Sequence, residues 1–208
     1  MSHIRMRCTM SFLLIVLLKV NAFAQTKSKL DFIVLNSGDT LYGEVKYINE
    51  NAFNRRFYKK LRLTTTDGKQ KKLKRKNVSA FRAKGINYKR FSLNQSSQNI
   101  RLINPIYDIT VNGREHYFLR VISKGKLAHY ELEWFEQGES ALWSMALLKK
   151  EGDSFFIRAD QGAFGLKRKT LITYFSNCKS LQDAINQKQL RKVSEIIEFY
   201  NSRCTDRH

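Results

Sequence analysis

Apolar and polar residues alternate in short runs from Leu30 to about Ile157, rich in β-branched and aromatic residues and separated by Gly, Asn and Asp. That period of two is the signature of half-buried antiparallel strands joined by tight turns. The clearest hairpin runs from Glu115 to Phe135 around Lys124-Gly125. A two-residue turn there puts Val121 opposite Ala128, Leu119 opposite Tyr130 and Tyr117 opposite Leu132, so one face is wholly apolar. On the other face the same register pairs Arg120 with His129 and His116 with Glu133.

Towards the C-terminus the period lengthens. Thr170 to Phe175 reads as a helical turn or short helix leading to Cys178. Ser180 is placed to N-cap a second helix, with Asp183 in the capping-box position and Leu181, Ala184 and Ile185 as its apolar face. A third helix from about Arg191 buries Val193, Ile197 and Tyr200, and the stripe continues to Cys204. The expected fold is mainly β, built of antiparallel hairpins in a barrel or sandwich, with a small C-terminal helical segment; it is α+β overall. Residues 25–168 form the β-rich body, and 169–208 pack on the same domain.

The first residues change the expected address. His3, Arg5 and Arg7 precede an apolar run from Met10 to Leu18, Lys19 closes it, and no acid occurs before Asp31. Ala22-Phe23-Ala24 then offers small residues where a signal peptidase reads, so the pattern predicts a leader cleaved before Gln25. The run is far short of the roughly 20 residues that span a bilayer. The expected location is therefore periplasmic, outer-envelope associated or secreted. Removing residues 1–24 from the 208 leaves 184, and takes three cations from the net charge of +20 to leave +17. That length supports one domain with a sizeable core. A single proline, Pro105, and the absence of Ser/Gly-rich or repeated stretches argue against linkers.

Export also decides the reading of the cysteines. Loss of Cys8 leaves Cys178 and Cys204, which predicts one disulfide stapling the C-terminal helices. No C-x-x-C motif is present, so the pair reads as structural rather than redox-active.

Charge is concentrated in one segment. Arg55 to Arg90 holds fifteen Lys and Arg against one acid, Asp67. Strands around Leu61-Thr64 and Leu73-Lys76 flank an Asp67-Gly68 turn. Burial favours Leu63 opposite Leu73, which sets Arg62 opposite Lys74 and Lys60 opposite Lys76. Lys60, Arg62, Lys72, Lys74 and Lys76 then share one outward face. Like charges directly opposite destabilise a sheet, so this face is the candidate anion-binding site; a solvated basic surface is the alternative. Outside the cytoplasm, anionic lipid headgroups or acidic polysaccharide are nearer partners than nucleic acid.

No catalytic or cofactor motif stands out. His116 and His129 lack Cys, Asp or a third His at ligand spacing, so they read as surface cross-strand partners of charged residues rather than metal ligands. Neither a cofactor nor a metal is expected.

Several segments together resemble one group of proteins. Leu35-Asn36-Ser37-Gly38-Asp39-Thr40-Leu41-Tyr42-Gly43-Glu44-Val45 after a leader is similar to the start of a large group of exported Bacteroidota proteins with no assigned activity. So are Thr66-Asp67-Gly68-Lys69, Val78-Ser79-Ala80-Phe81, Gly85-Ile86-Asn87-Tyr88, and Phe118-Leu119-Arg120-Val121 through Gly125-Lys126-Leu127. The ending from Tyr174-Phe175-Ser176-Asn177-Cys178 to Tyr200-Asn201-Ser202-Arg203-Cys204 is similar too. The resemblance implies a β-rich body with terminal helices and an envelope location, and brings no catalytic residue with it.

The expected function is that of an exported, non-enzymatic envelope protein that binds anionic lipid or polysaccharide through the basic hairpin 55–90. The alternative is a hydrolase whose site is assembled from dispersed acids such as Asp39, Glu44, Asp108 and Glu131. Asp39 is more simply a turn residue.

Overall fold

The computed structural model describes residues 30–48, 60–93, 106–110, 116–135, 141–162 and 164–204. The expected leader, its cleavage site and Cys8 lie outside them. Strands β1 (Phe32–Leu35), β2 (Thr40–Tyr42), β3 (Glu44–Ile48), β4 (Lys60–Thr64), β5 (Gln70–Lys74) and β6 (Val78–Ala83) open the chain. Then come β7 (Ile86–Ser92), β8 (Ile106–Asp108), β9 (His116–Ser123), β10 (Leu127–Phe135), β11 (Leu142–Lys150) and β12 (Phe155–Arg158). Helices α1 (Arg168–Tyr174), α2 (Lys179–Asn186) and α3 (Val193–Arg203) end it. The fold is mainly β with a C-terminal helical segment.

Nine strands form one sheet in the order β2-β1-β6-β7-β9-β10-β11-β12-β8, and β3-β4-β5 form a second. The long sheet curls until its last strand meets β7 again. Leu93 bridges Ile109, and the Thr110 N–H donates to the Ser92 carbonyl at 2.9 Å. Six strands, β7-β9-β10-β11-β12-β8, thus close into a small barrel, which removes their free edges. Side chains fill the interior: Leu119, Leu132, Met145, Leu147 and Phe156 are buried together. Phe91 and Phe156, on strands four places apart in the sheet, meet edge-to-face at 4.9 Å. Fully burying each such side chain contributes about 1.5–3 kcal/mol.

Two layers cover the outside of the long curled sheet. The helices pack Leu171, Phe175, Leu181, Ile185, Ile196 and Tyr200 onto Leu127, Ala146, Leu148 and Ile157. The three-stranded sheet packs Val45, Leu61 and Leu63 onto Ile33, Phe81, Tyr88 and Phe118. Gly43 carries the chain from β2 into β3 with φ 152°, and an added Cβ would stand 2.2 Å from the Thr64 carbonyl oxygen. Only glycine permits that approach.

The β9–β10 hairpin departs from its expected register. Val121 pairs with Tyr130 and Arg120 with Glu131, two residues away from a two-residue turn, with a bulge between His129 and Tyr130. A shift of two preserves the faces, so Tyr117, Leu119, Tyr130 and Leu132 still point into the core. The opposite face is not an open surface. His129 and Glu133 are buried, at 7% and 6% exposure, and the Tyr88 hydroxyl on β7 donates to the Glu133 carboxylate at 3.4 Å. His116 meets Ser92 on β7 at 2.7 Å instead of Glu133.

The helices follow the expected stripe, with one correction at a cap. The residue preceding α2 is Cys178, Ser180 lies inside the helix, and Asp183 pairs with Lys179 at 2.6 Å. The reaching carboxylate belongs to α3, where Glu195 accepts from the Arg191 and Lys192 N–H groups at 2.7 and 3.1 Å. Cys178 and Cys204 stand at disulfide bonding distance, S–S 2.04 Å, with Cα atoms 5.7 Å apart. This agrees with the expected pairing.

Candidate functional site: a cationic face on the three-stranded sheet

In β4 and β5, Leu61 pairs with Leu73, Arg62 with Lys72 and Lys60 with Lys74. The register is two residues from the expected one, so Leu63 faces Lys71 rather than Leu73. Because the shift is even, Leu61 and Leu63 remain inward and Lys60, Arg62, Lys72 and Lys74 remain on one outward face. Lys76 leaves the group. It lies in a 3-10 turn, Arg75–Asn77, whose carbonyl groups are used to tie neighbouring segments. The Lys76 carbonyl accepts from Asn36 Nδ2 and Arg90 Nη1, both at 2.7 Å.

The sequence did not suggest β3 as part of the site. Its Lys46 pairs with Arg62 from the other side. Lys46, Arg62 and Lys72 therefore lie in one line across three strands, with Lys60 and Lys74 paired in the next row. Neighbouring strands are about 4.8 Å apart, so the row is dense in charge. Lys46 reaches Glu44 on its own strand at 3.0 Å. Among the described residues no carboxylate pairs with Lys60, Arg62, Lys72 or Lys74, and Arg62 Nε is buried without a hydrogen-bond partner. Asp67 is already engaged in the turn, by Thr65 Oγ1 and by Lys69 Nζ at 2.8 Å. Those contacts, Lys69 first, hold its carboxyl below the usual range.

Lysines on β5 have an ordinary use, since it is an edge strand and charge there blocks further strand addition. Arg62 has no such use. It is on the central strand, flanked on both sides by cations.

The four acids named for a hydrolase stand apart. Asp39 sits in the β1–β2 turn beside Ser37 Oγ at 2.8 Å, Glu44 is on β3, Asp108 on β8 and Glu131 on β10. The acids that do converge are Glu131 and Glu133, each 3.5 Å from Arg120 Nη1. Burial raises the Glu131 pKa, and Arg120 opposes the rise. His129 shares this face of β10. Burial, with a further push from Arg120 against the pull of Asp160, lowers its pKa to about 4, so the ring is neutral. Its Nε2 has no hydrogen-bond partner. Burial also lowers the pKa of His116, as do Arg90 and Arg75. Among the described residues no three His, Cys, Asp or Glu gather as metal ligands, and no helix is long and apolar enough to cross a membrane.

Comparison of the chain with protein-family models, with curated proteins and with solved structures finds no match.

Proposed function

We propose that the protein is an exported, non-enzymatic envelope component that docks on an anionic surface through the outward face of β3-β4-β5. The observation that carries this reading is Arg62, central in its sheet, held between Lys46 and Lys72 with no compensating carboxylate among the described residues. Directly opposed like charges cost stability in the isolated sheet. Anionic groups laid over the row reverse the sign of that term. The face is fixed by a buried core beneath it, so the cations are already arrayed before any partner arrives. The leader-like N-terminus and the resemblance to exported Bacteroidota proteins support the address, and a disulfide suits an oxidising compartment.

Binding of the oxidised chain to phosphatidylglycerol vesicles and to an acidic polysaccharide tests the function. Association is expected at low salt and should fall steeply as the screening length shrinks towards about 8 Å. Neutral vesicles should bind nothing. Failure to associate with either anionic surface at low ionic strength would refute the docking function.

A further inference from the structure

Far along the chain from the basic sheet, the turn between β12 and α1 displays Phe164 at 89% exposure. Among the described residues the other exposed large apolar side chains reach only 39–56%. The turn that carries it is braced. Asp160 bridges Leu166, the Gln161 N–H donates to the Gly165 carbonyl at 2.7 Å, and Gln161 Nε2 donates to the Leu166 carbonyl at 3.1 Å. Gly162 and Gly165 supply the positive φ angles, 65° and 81°, that let it close. Beside it lies an open hollow of about 500 Å³ lined by Leu166, Lys167, Arg168, Lys169 and Thr170. The Arg168 guanidinium is committed inward, donating to the Ile185 and Leu190 carbonyls at 2.7 and 3.2 Å. Lys167 and Lys169 carry no carboxylate partner among the described residues and leave the rim of the hollow cationic.

We infer that this turn is a lipid-interface anchor: Phe164 enters the boundary between headgroups and acyl chains while Lys167 and Lys169 meet headgroup phosphates. An exposed aromatic ring, with lysines three and five positions further along the chain, matches the layered polarity of an anionic bilayer surface. An acidic polysaccharide offers the lysines a partner but gives the ring nothing to bury against. A pocket in another protein would take the ring without calling for cations around it. The inference deepens the docking function by naming its partner as lipid, and it rests on that function in this respect.

Phe164→Trp and Phe164→Ser test it in the full oxidised chain, since so exposed a ring contributes little to folding. With phosphatidylglycerol vesicles, the emission of the introduced indole in Phe164→Trp, taken as the difference from wild type, should shift to the blue. An acidic polysaccharide should produce no shift. Phe164→Ser should weaken vesicle partitioning by about tenfold or more and leave polysaccharide binding unchanged. Vesicle binding with no change in the emission of the introduced indole, and no loss in Phe164→Ser, overturns the anchor and leaves docking through the sheet intact. Binding to polysaccharide but not to vesicles likewise overturns the anchor, whereas loss of both defeats the docking function itself.

Discussion

The Asn201 carboxamide closes on both backbone groups of Leu127: Oδ1 accepts from its N–H at 2.8 Å and Nδ2 donates to its carbonyl at 3.0 Å. A side chain on α3 thus acts as a short extra strand beside the start of β10. Gly125 makes room for it, because a Cβ there would stand 2.8 Å from Asn201 Nδ2. Two segments that carried the resemblance to exported proteins, Gly125-Lys126-Leu127 and Tyr200-Asn201-Ser202, meet at this contact. In this chain they serve the scaffold.

Asn201→Ala should therefore lower stability by about 2 kcal/mol, since it leaves two backbone groups in a partly buried place without partners. Asn201→Asp should cost more, because it also sets a carboxylate against the Leu127 carbonyl. Urea unfolding of both variants measures the difference; a cost near zero would mean the amide pairing contributes nothing.

The Cys178–Cys204 link closes a sequence separation of 26 around the whole of α2 and α3. Cys178→Ser with Cys204→Ser should lose about 3.5 kcal/mol, largely by freeing the unfolded chain. Thermal unfolding with and without reductant should show the loss in wild type and no response in the double variant. Free thiols in protein recovered from the native envelope would refute the pairing.

His129 gives a signed pH dependence. Its folded pKa is about 4, below the usual 6.5, so the unfolded chain takes up the proton first. Its contribution is neutral above pH 6.5 and turns against the fold as pH falls from 6.5 towards 4. At pH 5 the penalty is about 2 kcal/mol. Glu131 works in the other direction, because its raised pKa makes the folded state accept a proton first. The loss between about pH 7.5 and pH 5 should therefore be smaller in His129→Phe than in wild type by that amount. Equal losses in both would show that the ring does not titrate as its burial requires.

Periodicity made the strands, the helical end and the buried side of each hairpin legible, because parity survives a register error of two. That is why Leu61, Leu63, Leu119 and Leu132 were found and the exact partners of Arg62 and Arg120 were not. The bulge at His129–Tyr130 has no local signature, and the hydroxyl that meets buried Glu133 comes from Tyr88, 45 residues away. Lys46 was missed for the same reason: only long-range pairing brings β3 beside β4. Lys76 was misplaced because β5 ends at Lys74 and a 3-10 turn follows. The Glu195 cap went unread because the residue before α3 is Lys192, which lacks the short oxygen side chain that marks such a site.

Charge reversal on β5 bears most directly on the central claim. Lys72→Glu with Lys74→Glu places the new carboxylates opposite Arg62 and Lys60. Both lysines are exposed, so no cavity forms, and repulsive cross-strand pairs become attractive ones. Stability should be unchanged or slightly raised, by a few tenths of a kcal/mol. Binding to phosphatidylglycerol vesicles at low salt should fall by about a hundredfold or more, because two contacts of about 1 kcal/mol each become repulsive. Sedimentation of the folded double variant with these vesicles reads the result. Undiminished binding would contradict docking through this sheet and leave its cations as a solvated surface.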